Sequence, residues 1–239
     1  MNKNIGLTND KLKIIAVITM LIDHIGAYLF PTVMWLRIIG RVAFPIFAFM
    51  IAEGCRYTRN KKRYLLNMAT LALVCQLMFS RFDNTVFLRI PFTFTLSVVV
   101  IYVFRYFEEA FTTDSTIAKK IISALMLMVA VSGVYYLNMI FTIDYGFYGC
   151  MTPVVISMAD SQVFVSDRQR NNLNTKLVCL AVMLVLISNS SIYLQYYCLA
   201  AVPLLAMYNG KRENIVPKNF FYIFYPLHLA VIYAIKYLK

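Results

Sequence analysis

The chain has 239 residues, a formal net charge of +12, and 61% hydrophobic against 14% charged residues. A soluble domain carries about 45–50% apolar and about 25% charged residues, so this composition excludes a single water-soluble core and places the chain in a bilayer. The positive charge sits in short loops between apolar runs, which makes it a topology signal and excludes nucleic acid as the expected partner.

A membrane-crossing helix needs roughly 20 apolar residues. In chain order the predicted spans are 12–30, 33–54, 64–80, 92–107, 120–141, 146–160, 176–190, 192–208 and 220–238. The polar start MNKNIGLTNDK leads into the first run with no small-residue cleavage site after it, so 12–30 reads as a retained span rather than a signal peptide. The sixth is short, rich in glycine and interrupted by Pro153. The region 176–208 reads as two spans around SNSS at 188–191, the alternative being one long tilted helix. No internal repeat, low-complexity tract or linker divides the chain. The expectation is an all-α polytopic membrane protein of about nine transmembrane helices, one domain over residues 1–239.

Lysine and arginine concentrate in CRYTRNKKRY (55–64), around Lys119 and Lys120, at Arg168, Arg170 and Lys176, and in YNGKRENIVPKN (208–219). With nine spans and the N-terminus inside, all four basic loops fall on the cytoplasmic side, and the C-terminus falls outside. Arg81, Arg89, Lys236 and Lys239 then lie on the outer side, against the trend.

Ionisable groups inside a span are costly and mark a functional site by default. Here they are Asp23 and His24 in the first span, Arg37, Arg41 and Glu53 in the second, Gln76 as an uncharged polar companion in the third, and His228 in the last, with Asp144 at the edge of the sixth. Lys13 and His24 are eleven positions apart, three helical turns, so they share one face about 16 Å apart along the axis. Lys13 then lies at the cytoplasmic end and His24 deep. Asp23 points about 100° away from His24 and is placed to pair with an arginine of the second span, where Arg37 and Arg41 share a face one turn apart. Glu53 sits beside Arg56, Arg59, Lys61, Lys62 and Arg63. It reads either as an interfacial ion pair or as part of a phosphate-binding mouth. His228 follows Pro226, which loosens the last helix and frees backbone carbonyls.

Cys55, Cys75, Cys150, Cys179 and Cys198 are scattered without CxxC or metal-ligand spacing and read as small core residues, so no metal is expected. No nucleotide loop or nucleophile elbow is present.

The blocks MLIDHIG, GRVAFPIFAFMIAEGCRYTRNKKRYLLN, DYGFYG and YNGKRENIVPKNFFYIFYPLHL run in order from the first span to the last. Together they resemble the TraX family, whose named member acetylates the N-terminus of F-type conjugative pilin. Lys13, ten residues and then His24 is similar to the signature of the wider acyltransferase-3 membrane superfamily. The resemblance implies acetyl-CoA as donor and a multi-pass cell-membrane location. It also implies an extracytoplasmic acceptor, either a pilin-type amine or a cell-surface sugar hydroxyl. It makes His24 the expected general base, with Asp23 and Arg41 beside it as catalytic candidates. Lys13, Arg56, Arg59, Lys61, Lys62, Arg63, Glu53 and His228 are the residues expected to hold the donor. Members of that superfamily often have ten core spans, one more than predicted here. Two other classes fit the same polar residues: a small proton- or anion-coupled transporter, and a non-catalytic membrane scaffold.

Overall fold

The computed structural model describes residues 6–79, 87–166, 172–190, 193–217 and 219–238. Arg81, Arg168, Arg170 and Lys239, four of the charges that bear on orientation, lie outside them. The backbone groups into two compact units, one formed by residues 1–50 with 184–239 and the other by residues 51–183.

In the first unit, α1 (Asn9–Tyr28) starts behind Thr8, whose hydroxyl accepts from the Lys11 amide at 3.5 Å. That side chain satisfies one of the donors a helix start leaves open. The strand-like segment before α1 lies along residues 207–211, with Leu7 N donating to Met207 O at 2.8 Å and Asn9 N to Lys211 O at 2.8 Å. α2 (Met34–Gly40) packs back against the end of α1, and α3 (Ala43–Tyr57) follows it, its residues from Ile51 onward counting with the second unit.

The predicted single span 33–54 is therefore broken at Arg41–Val42. The cause is Pro45: it has no N–H to bond the carbonyl four residues earlier, at Arg41, and Gly40 just before weakens the helix further. Arg41 closes α2 by donating its amide to the last-turn carbonyls.

After α8 (Leu173–Asn189), a 3-10 turn over Tyr193–Ala200 leads into α9 (Ala201–Ala206). Ser188 and Cys198 touch at 3.8 Å, and the Tyr196 hydroxyl bonds the Asn189 side chain. The chain has therefore turned back on itself, and the 176–208 region is two segments. α10 (Phe220–Leu238) completes this unit and packs on α1.

In the second unit, α5 (Ile90–Thr112) is the central helix, touching α4 (Lys61–Phe79), α6 (Ile117–Ile140) and α7 (Gly146–Met158). Beside the helices this unit has a two-residue parallel pairing of β1 (Phe87–Leu88) with β2 (Thr142–Ile143). The Asp144 carboxylate next to it accepts from the Ile90 amide at 3.1 Å and so caps α5.

Each of the nine predicted spans has a helical counterpart. Four stretches among the described residues are long and apolar enough to cross a membrane: Met34–Tyr57, α5, α6 and α10. α7, α8 and Tyr193–Ala206 are apolar but shorter. α1 carries Asp10, Lys11, Lys13 and Asp23, and α4 opens on Lys61, Lys62 and Arg63.

Candidate active site

α1 and α10 meet along one face of each. The Lys13 ammonium lies 5.4 Å from the centre of the Phe221 ring. His24 Nδ1 lies 2.7 Å from His228 Nε2, and the Tyr28 and Tyr233 rings are 4.9 Å apart. Contacts that advance together along both chains mean that the two helices run parallel. The face predicted for Lys13 and His24 is thus the face that α10 covers. His228, expected among the donor contacts, is instead the hydrogen-bonding partner of His24. It is 6% exposed, and its Nδ1 lies 2.9 Å from the Phe224 carbonyl oxygen. Tyr225 stands edge-on to both imidazoles.

One residue before His24, Asp23 bonds two arginines at once. Its Oδ2 accepts from Arg37 Nη1 at 2.7 Å and its Oδ1 from Arg41 Nη2 at 2.7 Å. Arg41 also donates to Gln195 Oε1 at 3.1 Å and to the Arg37 carbonyl at 3.4 Å. The sequence left the partner of Asp23 open between the two arginines, and the structure supplies both. Both carboxylate oxygens of Asp23 are thus engaged by guanidinium groups, in charge-assisted hydrogen bonds. The three side chains together carry one net positive charge.

Close approach makes this hub possible. A Cβ on Gly26 would lie 2.7 Å from Leu36 Cβ, so α1 and α2 meet at a point where a larger residue would collide. Gln195 was not singled out from the sequence, although an amide in an apolar segment was a legible signal.

The remaining predicted residues belong to the second unit. Glu53 does not bond its basic neighbours in sequence. It accepts from Lys176 Nζ at 2.5 Å, and the same ammonium reaches Asp160 Oδ2 at 2.8 Å. Arg56 closes the chain on Asp160 Oδ1 at 3.3 Å. Two acids and two bases therefore neutralise one another in a buried setting, because an unpaired charge there would be strongly unfavourable. Glu53 and Arg56 both pair within this network, and Lys176, read from the sequence as a loop charge, is 4% exposed. Arg59, Lys61, Lys62 and Arg63 are exposed at the turn into α4. Among the described residues no group of three or more His, Cys, Asp or Glu is placed to hold a metal ion.

The sequence profile of the TraX protein family matches residues 8–236. The chain belongs to the TraX family. This TraX-family chain is 23% identical to a probable fimbrial assembly protein FimC (serogroup H1) of Dichelobacter nodosus, over 99% of its own length and 98% of the relative's. It is 38% identical to an uncharacterised protein of Rickettsia prowazekii over 40% of its own length, and that match spans 37% of the relative. No solved structure matches it. The TraX blocks quoted above fall on structural features: MLIDHIG on the part of α1 that holds Asp23, His24 and Gly26, and the last block on the 208–219 segment and the first half of α10.

Proposed function

We propose that this membrane protein transfers an acetyl group from acetyl-CoA to an acceptor on the far side of the membrane. The observation that carries the reading is the placement of Lys13 and His24 on one face of α1, closed by α10, in a chain of the TraX family. Lys13 lies near Arg212, which also reaches Asp10 Oδ1 at 3.8 Å, and the two cations give this end of α1 a charge suited to the donor's phosphates. His24 lies about 16 Å deeper along the helix, a separation that suits an extended pantetheine arm.

His24 serves as general base. It accepts the proton of the acceptor amine or hydroxyl as the C–N or C–O bond forms. When the C–S bond breaks, the same nitrogen returns the proton to the departing thiolate, so thioester and acceptor become amide or ester and thiol. Arg41, held by Asp23 and Gln195, provides a fixed positive charge for the developing oxyanion or for the acceptor. The relative named as a fimbrial assembly protein favours a pilin-type amine over a sugar hydroxyl.

The same reading carries nine crossings of the cell membrane with the N-terminus inside and the C-terminus outside. The parallel course of α1 and α10 supports it, since two helices crossing in one direction are separated by an odd number of intervening spans. The lysines and arginines of the 55–64, 119–120 and 208–219 segments then share the cytoplasmic side.

The test is acetyl-CoA binding and slow hydrolysis by detergent-purified protein, wild type beside His24→Ala. Binding by both with turnover only in the wild type is the expected result. An active His24→Ala protein removes the base, and absence of binding by a folded wild type removes the donor. In that case liposome flux would separate a transporter from a scaffold.

A further inference from the structure

The chain has two histidines, and one hydrogen bond joins them. Its direction follows from the helix that carries the second. His228 Nδ1 lies 2.9 Å from the Phe224 carbonyl oxygen. A carbonyl only accepts, so that nitrogen carries a proton, and in a neutral ring the lone pair is left on Nε2. Nε2 is the atom 2.7 Å from His24 Nδ1. His24 must therefore donate from Nδ1, which puts its own lone pair on Nε2.

The ring geometry agrees. The two planes differ by 17° and the centroids are 5.0 Å apart, while the facing nitrogens are separated by only 2.7 Å. Rings stacked face to face would not bring one nitrogen pair so much closer than the ring centres. The imidazoles lie edge to edge in nearly one plane, the arrangement an N–H···N bond needs.

Building on the acyltransfer reading, we propose that His228 is a positioning residue that, backed by the Phe224 carbonyl, holds His24 in the Nδ1–H tautomer and so presents Nε2 as the base. Which imidazole nitrogen is protonated is set by the bond the other one makes. Here that bond runs to the chain's other histidine, in a helix 204 residues away. When the acceptor's proton arrives on His24 Nε2, the Nδ1–H remains shared with His228, and the positive charge spreads over two rings. No proton leaves through His228, because the Phe224 carbonyl cannot take one. The proton on Nε2 therefore goes back to the departing thiolate, leaving His24 neutral again.

With two histidines in the chain, 15N-histidine labelling of protein purified through a histidine-free tag reports on these rings. At a pH where both are neutral, the wild type is expected to show both in the Nδ1–H tautomer. In His228→Gln the amide oxygen can accept from His24 Nδ1, so this variant is expected to keep the tautomer and stay within about tenfold of wild-type turnover. His228→Leu is expected to let an Nε2–H form of His24 appear and to lower kcat about 100-fold, with KM for acetyl-CoA unchanged.

A wild-type His24 protonated on Nε2 overturns the proposal, as does a His228→Leu protein whose His24 tautomer does not change. If His228→Leu does not fold, the wild-type and His228→Gln spectra still decide. Expected tautomers in a wild type without acetyl-CoA turnover would sink the acyltransfer reading and leave the tautomer assignment standing. Turnover with the opposite tautomer would do the reverse.

Discussion

Gly40 leaves room for Asp23: a Cβ at position 40 would lie 2.2 Å from the Asp23 Cβ and 2.3 Å from its Oδ1. A Cβ cannot approach backbone-anchored atoms that closely, so Gly40→Ala must push α2 away from α1. The arginines of α2 then lose their registration on the carboxylate. Overpacking of this kind costs about 1–3 kcal/mol, read as a lower unfolding midpoint in detergent. Gly133→Ala is the matched control. Nothing lies within 4 Å of a Cβ there, so that change is expected to be neutral or to stabilise by about 0.5–1 kcal/mol through helix propensity.

Asp23→Asn leaves two guanidinium groups facing each other across a neutral amide. Removing one partner of a buried charge cluster typically costs about 3–5 kcal/mol. Adding Arg37→Gln removes the surplus charge, so the double variant is expected to be less destabilised than the sum of the singles. A double-mutant cycle on unfolding free energies measures that coupling. Strict additivity would show that Asp23 and Arg37 do not interact in solution.

Lys176→Met strips the shared cation from Glu53 and Asp160, whose side chains are both 6% exposed. The loss is expected to be about 3–5 kcal/mol. Combining it with Glu53→Gln should restore part of the stability by removing one of the stranded acids. Thermal unfolding of the two variants side by side gives the comparison, and equal midpoints would contradict the buried network.

Lys13 and His24 should separate kinetically if the acyltransfer reading holds. Lys13→Ala is expected to raise KM for acetyl-CoA about tenfold, a loss of about 1.4 kcal/mol, with kcat little changed. His24→Ala is expected to lower kcat about 10²–10⁴-fold with KM preserved. Steady-state kinetics at several donor concentrations distinguishes the two patterns.

Much of this was legible in the sequence because a helix fixes which residues share a face. The eleven-residue interval put Lys13 and His24 together, and both do face α10. The depth and proximity of Arg37 and Arg41 pointed to Asp23, and both bond it. Helical periodicity is silent about which distant helix covers a face. That is why Glu53 was matched with the basic residues next to it, whereas its partner is Lys176, 123 positions on. His228 was read as a donor contact for the same reason. The break at Arg41 was written in Pro45, but the run from Met34 to Tyr57 is apolar enough on average to read as one span, which hid the signal. Gln195 was passed over because its neighbours look like ordinary span residues.

The order in which the site's bonds can form follows from where their partners lie in the chain. Asp23 meets Arg37 and Arg41 across 14 and 18 residues, so that hub can close while most of the protein is still unmade. The His24–His228 bond spans 204 residues. At about 5–20 residues per second, the ribosome takes roughly 10–40 s to supply the second histidine. During synthesis α1 is thus anchored early by its charges, and its histidine gains its partner only when α10 arrives. The two helices that share this bond are thus the first and the last to be made, so the contact between His24 and His228 closes only when synthesis is nearly complete.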